Sequence, residues 1–180
     1  MRSLSTESVR LASDRLRAAR DALGEQGRQV AGAIEARPDA PPLLGPGLLH
    51  EWLAEAAFPP LLLTACLAHQ SVKSYERGRG RAVFVGRRVF PYVRAFSRWA
   101  GLGEVMARAI FVDADRSRRA FVLEGVLRCE AVSFLIADGS GMDMTLSRRL
   151  QLAASAGGAL ALVHRPASEC GELSAAATRW

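Results

Sequence analysis

The sequence predicts an α/β domain with a mostly parallel sheet flanked by helices, preceded by an amphipathic helix. Short apolar runs recur at residues 82–85, 109–112, 132–137 and 159–163. Stretches with helical spacing separate them. None of the runs alternates apolar with polar residues, so each suits a strand buried on both faces. A helix between successive strands is what a parallel crossover requires.

Residues 5–36 come first. Val9, Leu16, Leu23 and Val30 recur every seven residues, with Ala12, Ala19 and Ala33 along the same seam and Gln26 as its polar exception. This spacing predicts one long amphipathic helix with a narrow apolar stripe. Glu7 and Asp14 near its start and Arg28 and Arg37 near its end suit the helix dipole. The stripe packs either on the chain's own core or against another helix or subunit. Residues 37–47, RPDAPPLLGPG, hold four prolines and two glycines and read as a linker. The expected organisation is a helix over 1–36, a linker over 37–47 and a core over 48–180.

Within the core, residues 47–53 read as either a short strand or a helix start. Residues 59–75 read as a helix, with Pro59 and Pro60 in its first turn. The strand at 82–85 leads to a helix over 92–99 closed by Gly101. The strand at 109–112 leads to a helix over 116–128. The strand at 132–137 leads to a helix over 146–156, with Thr145 as its N-cap and Gly157-Gly158 as its stop. The strand at 159–163 ends at His164.

Composition bounds the function. The chain has 180 residues, a single-domain length, with 49% hydrophobic and 23% charged residues. No apolar run is long enough to span a bilayer, and MRSLSTESVR has no apolar h-region, so a cytoplasmic, non-membrane protein is expected. Cys66, Cys129 and Cys170 are far apart, form no CxxC pair and read as reduced thiols rather than zinc ligands. The net charge is +6, and Lys73 is the one lysine among 24 basic residues. That balance permits contact with DNA or an acidic protein, but near-complete replacement of Lys by Arg also has the look of a composition bias.

Chemistry in a parallel sheet sits beyond the carboxyl ends of the strands. The first such end runs through Ala54-Glu55-Ala56-Ala57-Phe58-Pro59-Pro60. A phosphate loop needs glycine N–H groups and a lysine, and this segment has neither. The second end carries Arg87 and Arg88 where a general base would be Asp or Glu. They are either solvated or an anion or partner contact. The third end carries Asp113 and Asp115. At the fourth, Asp138 reads as the cap of a turn through Gly139 and Gly141. His164 has no Ser or Cys nucleophile legibly paired with it. No enzyme, cofactor or metal site is expected. The basic, aromatic run Arg87, Arg88, Tyr92, Arg94, Phe96 and Arg98 offers an alternative as a DNA contact by phosphate pairing and stacking.

The stretch ADGSGMDMTLSRRLQLAASAGGALALVHRP, followed by ELSAAATRW, resembles the ImuA family, RecA-like accessory proteins of bacterial inducible mutagenesis. LHEW at 49–52 is similar to the segment that opens that family's core. The resemblance covers about residues 47–180. It implies a RecA-like fold, a place in the SOS response, and partners including RecA, ImuB and, through the complex, an error-prone replicative-type polymerase. It also implies where RecA's nucleotide machinery would fall. The phosphate loop belongs between Leu53 and Leu61, and the water-activating glutamate near Arg87 or Arg88; both are missing. The Walker B aspartate matches Asp138, and His164 falls near the γ-phosphate-sensing glutamine. The expected function is therefore a non-catalytic adaptor in translesion synthesis, docking by analogy through Val9, Leu16, Leu23 and Val30. The alternatives are a DNA-binding module, a cryptic nucleotide-binding protein and a SulA-like division inhibitor.

Overall fold

In the computed structural model, residues 44–55, 61–74, 80–92, 94, 96 and 102–180 are described. The N-terminal helix with Val9, Leu16, Leu23 and Val30, most of the linker, and Arg98 lie outside them. The described residues belong to the compact unit Leu43–Trp180.

The expected α/β architecture is present. In chain order the elements are β1 (Leu49–Ala54), α1 (Leu61–Ser74), β2 (Arg81–Val85), a 3-10 turn (Arg87–Val89), α2 (Leu102–Ala107), β3 (Ile110–Val112), α3 (Arg116–Leu127), β4 (Val132–Asp138), α4 (Met144–Gly157), β5 (Leu160–Pro166), a 3-10 turn (Ala167–Glu169) and β6 (Thr178–Arg179). The six strands form one sheet in the order β3-β2-β4-β5-β1-β6, and every described pairing is parallel.

The apolar runs are continuous because both faces of the sheet are covered. Ala82, Phe84, Phe134, Ile136, Leu160 and Leu162 point to one face and pack with Ala65 and Ala68 of α1 and Leu102, Val105 and Met106 of α2. Their alternates Val83, Val85, Leu135, Ala137, Ala161 and Val163 point to the other, against Leu123 and Leu127 of α3 and Leu150, Ala153 and Ala154 of α4. Successive strand residues facing opposite layers is the two-residue period of a strand.

Several boundaries differ from the sequence reading. Of residues 47–53, read as strand or helix start, 49–53 are strand and continue through Ala54, because β1 inserts between β5 and β6. Thr145 is not the cap of α4: Asp143 takes extended backbone and its Oδ1 accepts from the Leu146 N–H at 2.7 Å. Gly158, in the left-handed region at φ 68, closes that helix, while Gly157 is its last helical residue. β5 continues two residues past His164. α2 escaped notice because six residues give too short a period to register. β3 is not buried on both faces: it is the sheet's edge, and Ile110 and Phe111 are 45% and 40% exposed. Of the expected helix over 92–99, Arg94 and Phe96 are helical and the rest is largely outside the described residues. Among the described residues no helix is long and apolar enough to cross a membrane.

Candidate functional site: a cleft at the strand ends

The chain leaves β2 toward the face covered by α2 and leaves β4 toward the face covered by α4. Neighbouring strands whose connections diverge in this way open a crevice beyond their carboxyl ends. A cleft of about 520 Å³ lies there, lined by Glu55, Arg88, Val89, Asp138, His164 and Ser168 among others.

Asp138 ends β4 with both carboxylate oxygens engaged. Oδ1 accepts from the Ser140 N–H at 2.9 Å and from the Ser140 hydroxyl at 2.6 Å, an Asx turn closed by the residue after Gly139. Oδ2 pairs with Arg119 of α3 at 2.9 Å, with both side chains largely buried. Arg119 also donates to the Ser140 carbonyl at 2.5 Å, so helix, turn and strand end are tied together. Gly86 lets the β2 turn approach this aspartate. It sits at φ 99, and a Cβ there would lie 3.1 Å from the Asp138 Cβ. The expected role of Asp138 as a turn cap is thus present, with an arginine partner that sequence distance concealed.

His164, one register step across from Asp138, is buried. Its Nε2 lies 3.2 Å from Thr64 Oγ1 of α1, and that hydroxyl donates to the Leu61 carbonyl at 3.2 Å. With the threonine proton spent, Nε2 donates and Nδ1 is left as a lone-pair acceptor, without a partner among the described residues. Burial lowers its pKa to about 4 against the opposing pull of Asp138. His50 behaves alike at the base of β1, between Thr178 Oγ1 and the Gly45 carbonyl, with a pKa lowered to about 4 by burial.

Both imidazoles are neutral in the fold but protonate below about pH 6.5 in the unfolded chain. Stability is therefore complete above that pH and lost as pH falls from 6.5 toward 4, by at most about 3 kcal/mol per histidine. The urea midpoint at pH 4.5 should lie well below that at pH 7. In a His164→Gln variant the drop should be visibly smaller.

The remaining predicted positions scatter. Arg87 is not at the cleft: its Nε donates to both oxygens of Asp113 at 3.0 and 2.9 Å on the open surface. Such an exposed pair contributes about 0–1 kcal/mol. Arg88 lines the cleft and is exposed, and Arg94 is exposed. Among the described residues no three His, Cys, Asp or Glu side chains gather as a metal site.

One cluster went unforeseen. Glu51 of β1 has no exposed surface, and neither has Arg165 of β5, which donates to its Oε1 from 3.1 Å. Arg179 of β6 holds Oε2 at 2.7 Å, and the Ser174 hydroxyl donates to Oε1. Arg165 is completed by Glu169 at 2.8 Å and the Met142 carbonyl at 2.8 Å. The available signal was an acidic residue inside LHEWLA, an otherwise largely apolar strand, since a carboxylate is rarely buried unless paired.

No family model matches this chain, and no curated protein matches it.

Proposed function

We propose that this chain is a non-catalytic, RecA-like adaptor that acts in translesion DNA synthesis by binding other proteins. The observation that carries the reading is Asp138. A strand-end aspartate that serves a nucleotide-bound metal needs an oxygen open to it, whereas here Ser140 fills both acceptor sites of Oδ1 and the largely buried Arg119 cation neutralises Oδ2. The residues around it agree. The segment after β1 contains no glycine or lysine, and Arg87, in place of a catalytic acid, is spent on Asp113. The resemblance to the ImuA family supplies the setting and the partners, RecA and ImuB. Cytoplasmic localisation belongs to the same reading.

The deciding experiment is a pull-down of the full chain with purified RecA and ImuB, repeated without residues 1–40. Capture of at least one partner is expected, weakened by the deletion if Val9, Leu16, Leu23 and Val30 form the docking seam. Capture of neither would overturn the adaptor. Calorimetry with ATP and Mg²⁺ is expected to show no saturable binding in the roughly millimolar range or below. Tight binding abolished by Asp138→Ala would instead favour a nucleotide-binding protein.

A further inference from the structure

We infer that the β3 edge of the sheet is a docking strand for an extended peptide with apolar residues at its centre and an acidic residue at the end that meets Arg81 and Arg108. Among the described residues β3 pairs only with β2, through Val83–Ile110, Phe84–Phe111 and Val85–Val112. The Val112 carbonyl accepts from the Gly86 N–H at 2.9 Å. The backbone groups of Phe111, one residue earlier, therefore face away from β2 and toward the open edge. Proteins commonly blunt such edges with lysine, proline, a bulge or an inward charge. Ile110-Phe111-Val112 has none of these, and the strand is short.

The side chains beside the edge are apolar and accessible on both faces. On one face Phe111 stacks on buried Phe84 at 5.3 Å and meets Phe90 edge-on at 5.8 Å. Phe90 and Tyr92 are 38% and 71% exposed. Ile110 projects on the other. An added strand alternating its side chains would thus meet an aromatic platform on one face and an aliphatic one on the other, with the Phe111 amide and carbonyl supplying the ladder.

The charge around this edge selects the occupant. At its start, Arg81 Nη1 donates to the Arg108 carbonyl at 3.1 Å, so two arginines share that end. At its finish Arg87 is paired with Asp113, and Asp115 follows two residues later, so that end carries no excess of positive charge. A basic group at the start of an apolar edge favours an acidic residue at the matching end of the added strand and rejects a basic one, which sets specificity and encounter rate more than raw affinity. The surface is distinct from the N-terminal seam and does not depend on the adaptor reading: a failed peptide assay and a failed pull-down are separate results.

The test is fluorescence anisotropy of the full chain with a labelled peptide, Glu-Asp-Val-Phe-Ile-Asp-Glu. Micromolar binding is expected. It should fall at least tenfold when the central Phe is replaced by Pro, which cannot supply the ladder N–H, or when the acidic flanks become Arg. Ile110→Glu should lower affinity for the acidic peptide by a similar factor, and Arg108→Glu should shift preference toward the Arg-flanked one. Both substitutions lie on exposed side chains, and an unchanged melting temperature confirms that each variant is folded. Absence of binding, or equal binding of acidic and basic peptides, overturns the proposal. So does a dimer in sedimentation that Ile110→Glu dissolves, because the occupant is then a second copy of the chain.

Discussion

Replacing Glu51 by alanine is expected to cost about 3–5 kcal/mol of folding free energy, the usual penalty for removing one partner of a buried ion pair. The carboxylate is fully buried and holds Arg165, Arg179 and Ser174 together. Without it, Arg165 keeps Glu169 but loses its contact inside the sheet, and β6 loses the group that anchors Arg179 to β1. For a domain of this size the melting temperature should fall by roughly 10 °C or more. Glu51→Gln keeps the volume and a hydrogen-bond acceptor and should lose less. Removing both charges, in Glu51→Leu with Arg165→Met, should recover much of the loss, because the pair's attraction is largely offset by its desolvation. Thermal melts of the four proteins decide the matter. If the double variant is no more stable than Glu51→Ala, the cluster holds the fold by more than charge compensation.

The second large effect is expected at Gly157. There α4 ends against the end of α3, so closely that a methyl group would overlap the Leu127 carbonyl oxygen and lie within 2.9 and 3.0 Å of the Arg128 backbone. None of these atoms is the free end of a side chain, so the helices themselves must separate. Gly157→Ala should cost about 2–3 kcal/mol, in the range of overpacked cores. Gly125 in the last turn of α3 provides the contrast, since a Cβ there meets nothing within 4 Å. Gly125→Ala should stabilise by about 0.5–1 kcal/mol through helix propensity and a less flexible unfolded chain. Denaturant midpoints for the two variants should move in opposite directions. A Gly157→Ala protein as stable as the parent would mean that the two helix ends do not meet this closely.

The layered fold was legible because burial on both faces writes itself as uninterrupted apolar runs. β2 and β4 appear in the sequence within one residue of their true bounds for that reason, while β5 runs on past its apolar stretch to Pro166. β6 was not, since two residues of strand carry no period; it exists because Glu51 and the β1 backbone receive it. The order of the strands was equally hidden, as it depends on crossovers whose direction no local pattern records. At the cleft, the turn role of Asp138 followed from the glycines beside it. Its partner Arg119 did not, because a contact between α3 and β4 is a product of packing. The same holds for His164 and Thr64, which are 100 residues apart. Residue type alone flagged the histidine; its tautomer needed the threonine, and the threonine needed the fold.

The position of β1 has a consequence for how the chain is made. Both of its neighbours, β5 and β6, come from the far end of the sequence, so that His50 and its partner Thr178 are 128 residues apart. During synthesis β1 emerges early, yet neither of its edges is matched until nearly all of the described domain has been translated. Through that interval its apolar residues and ladder groups, and the charge of Glu51, have no native partner. Closing so large a loop is slow. The nascent chain thus spends its longest vulnerable period with an interior strand of its sheet open, and β1 is where a folding helper would find the most to hold.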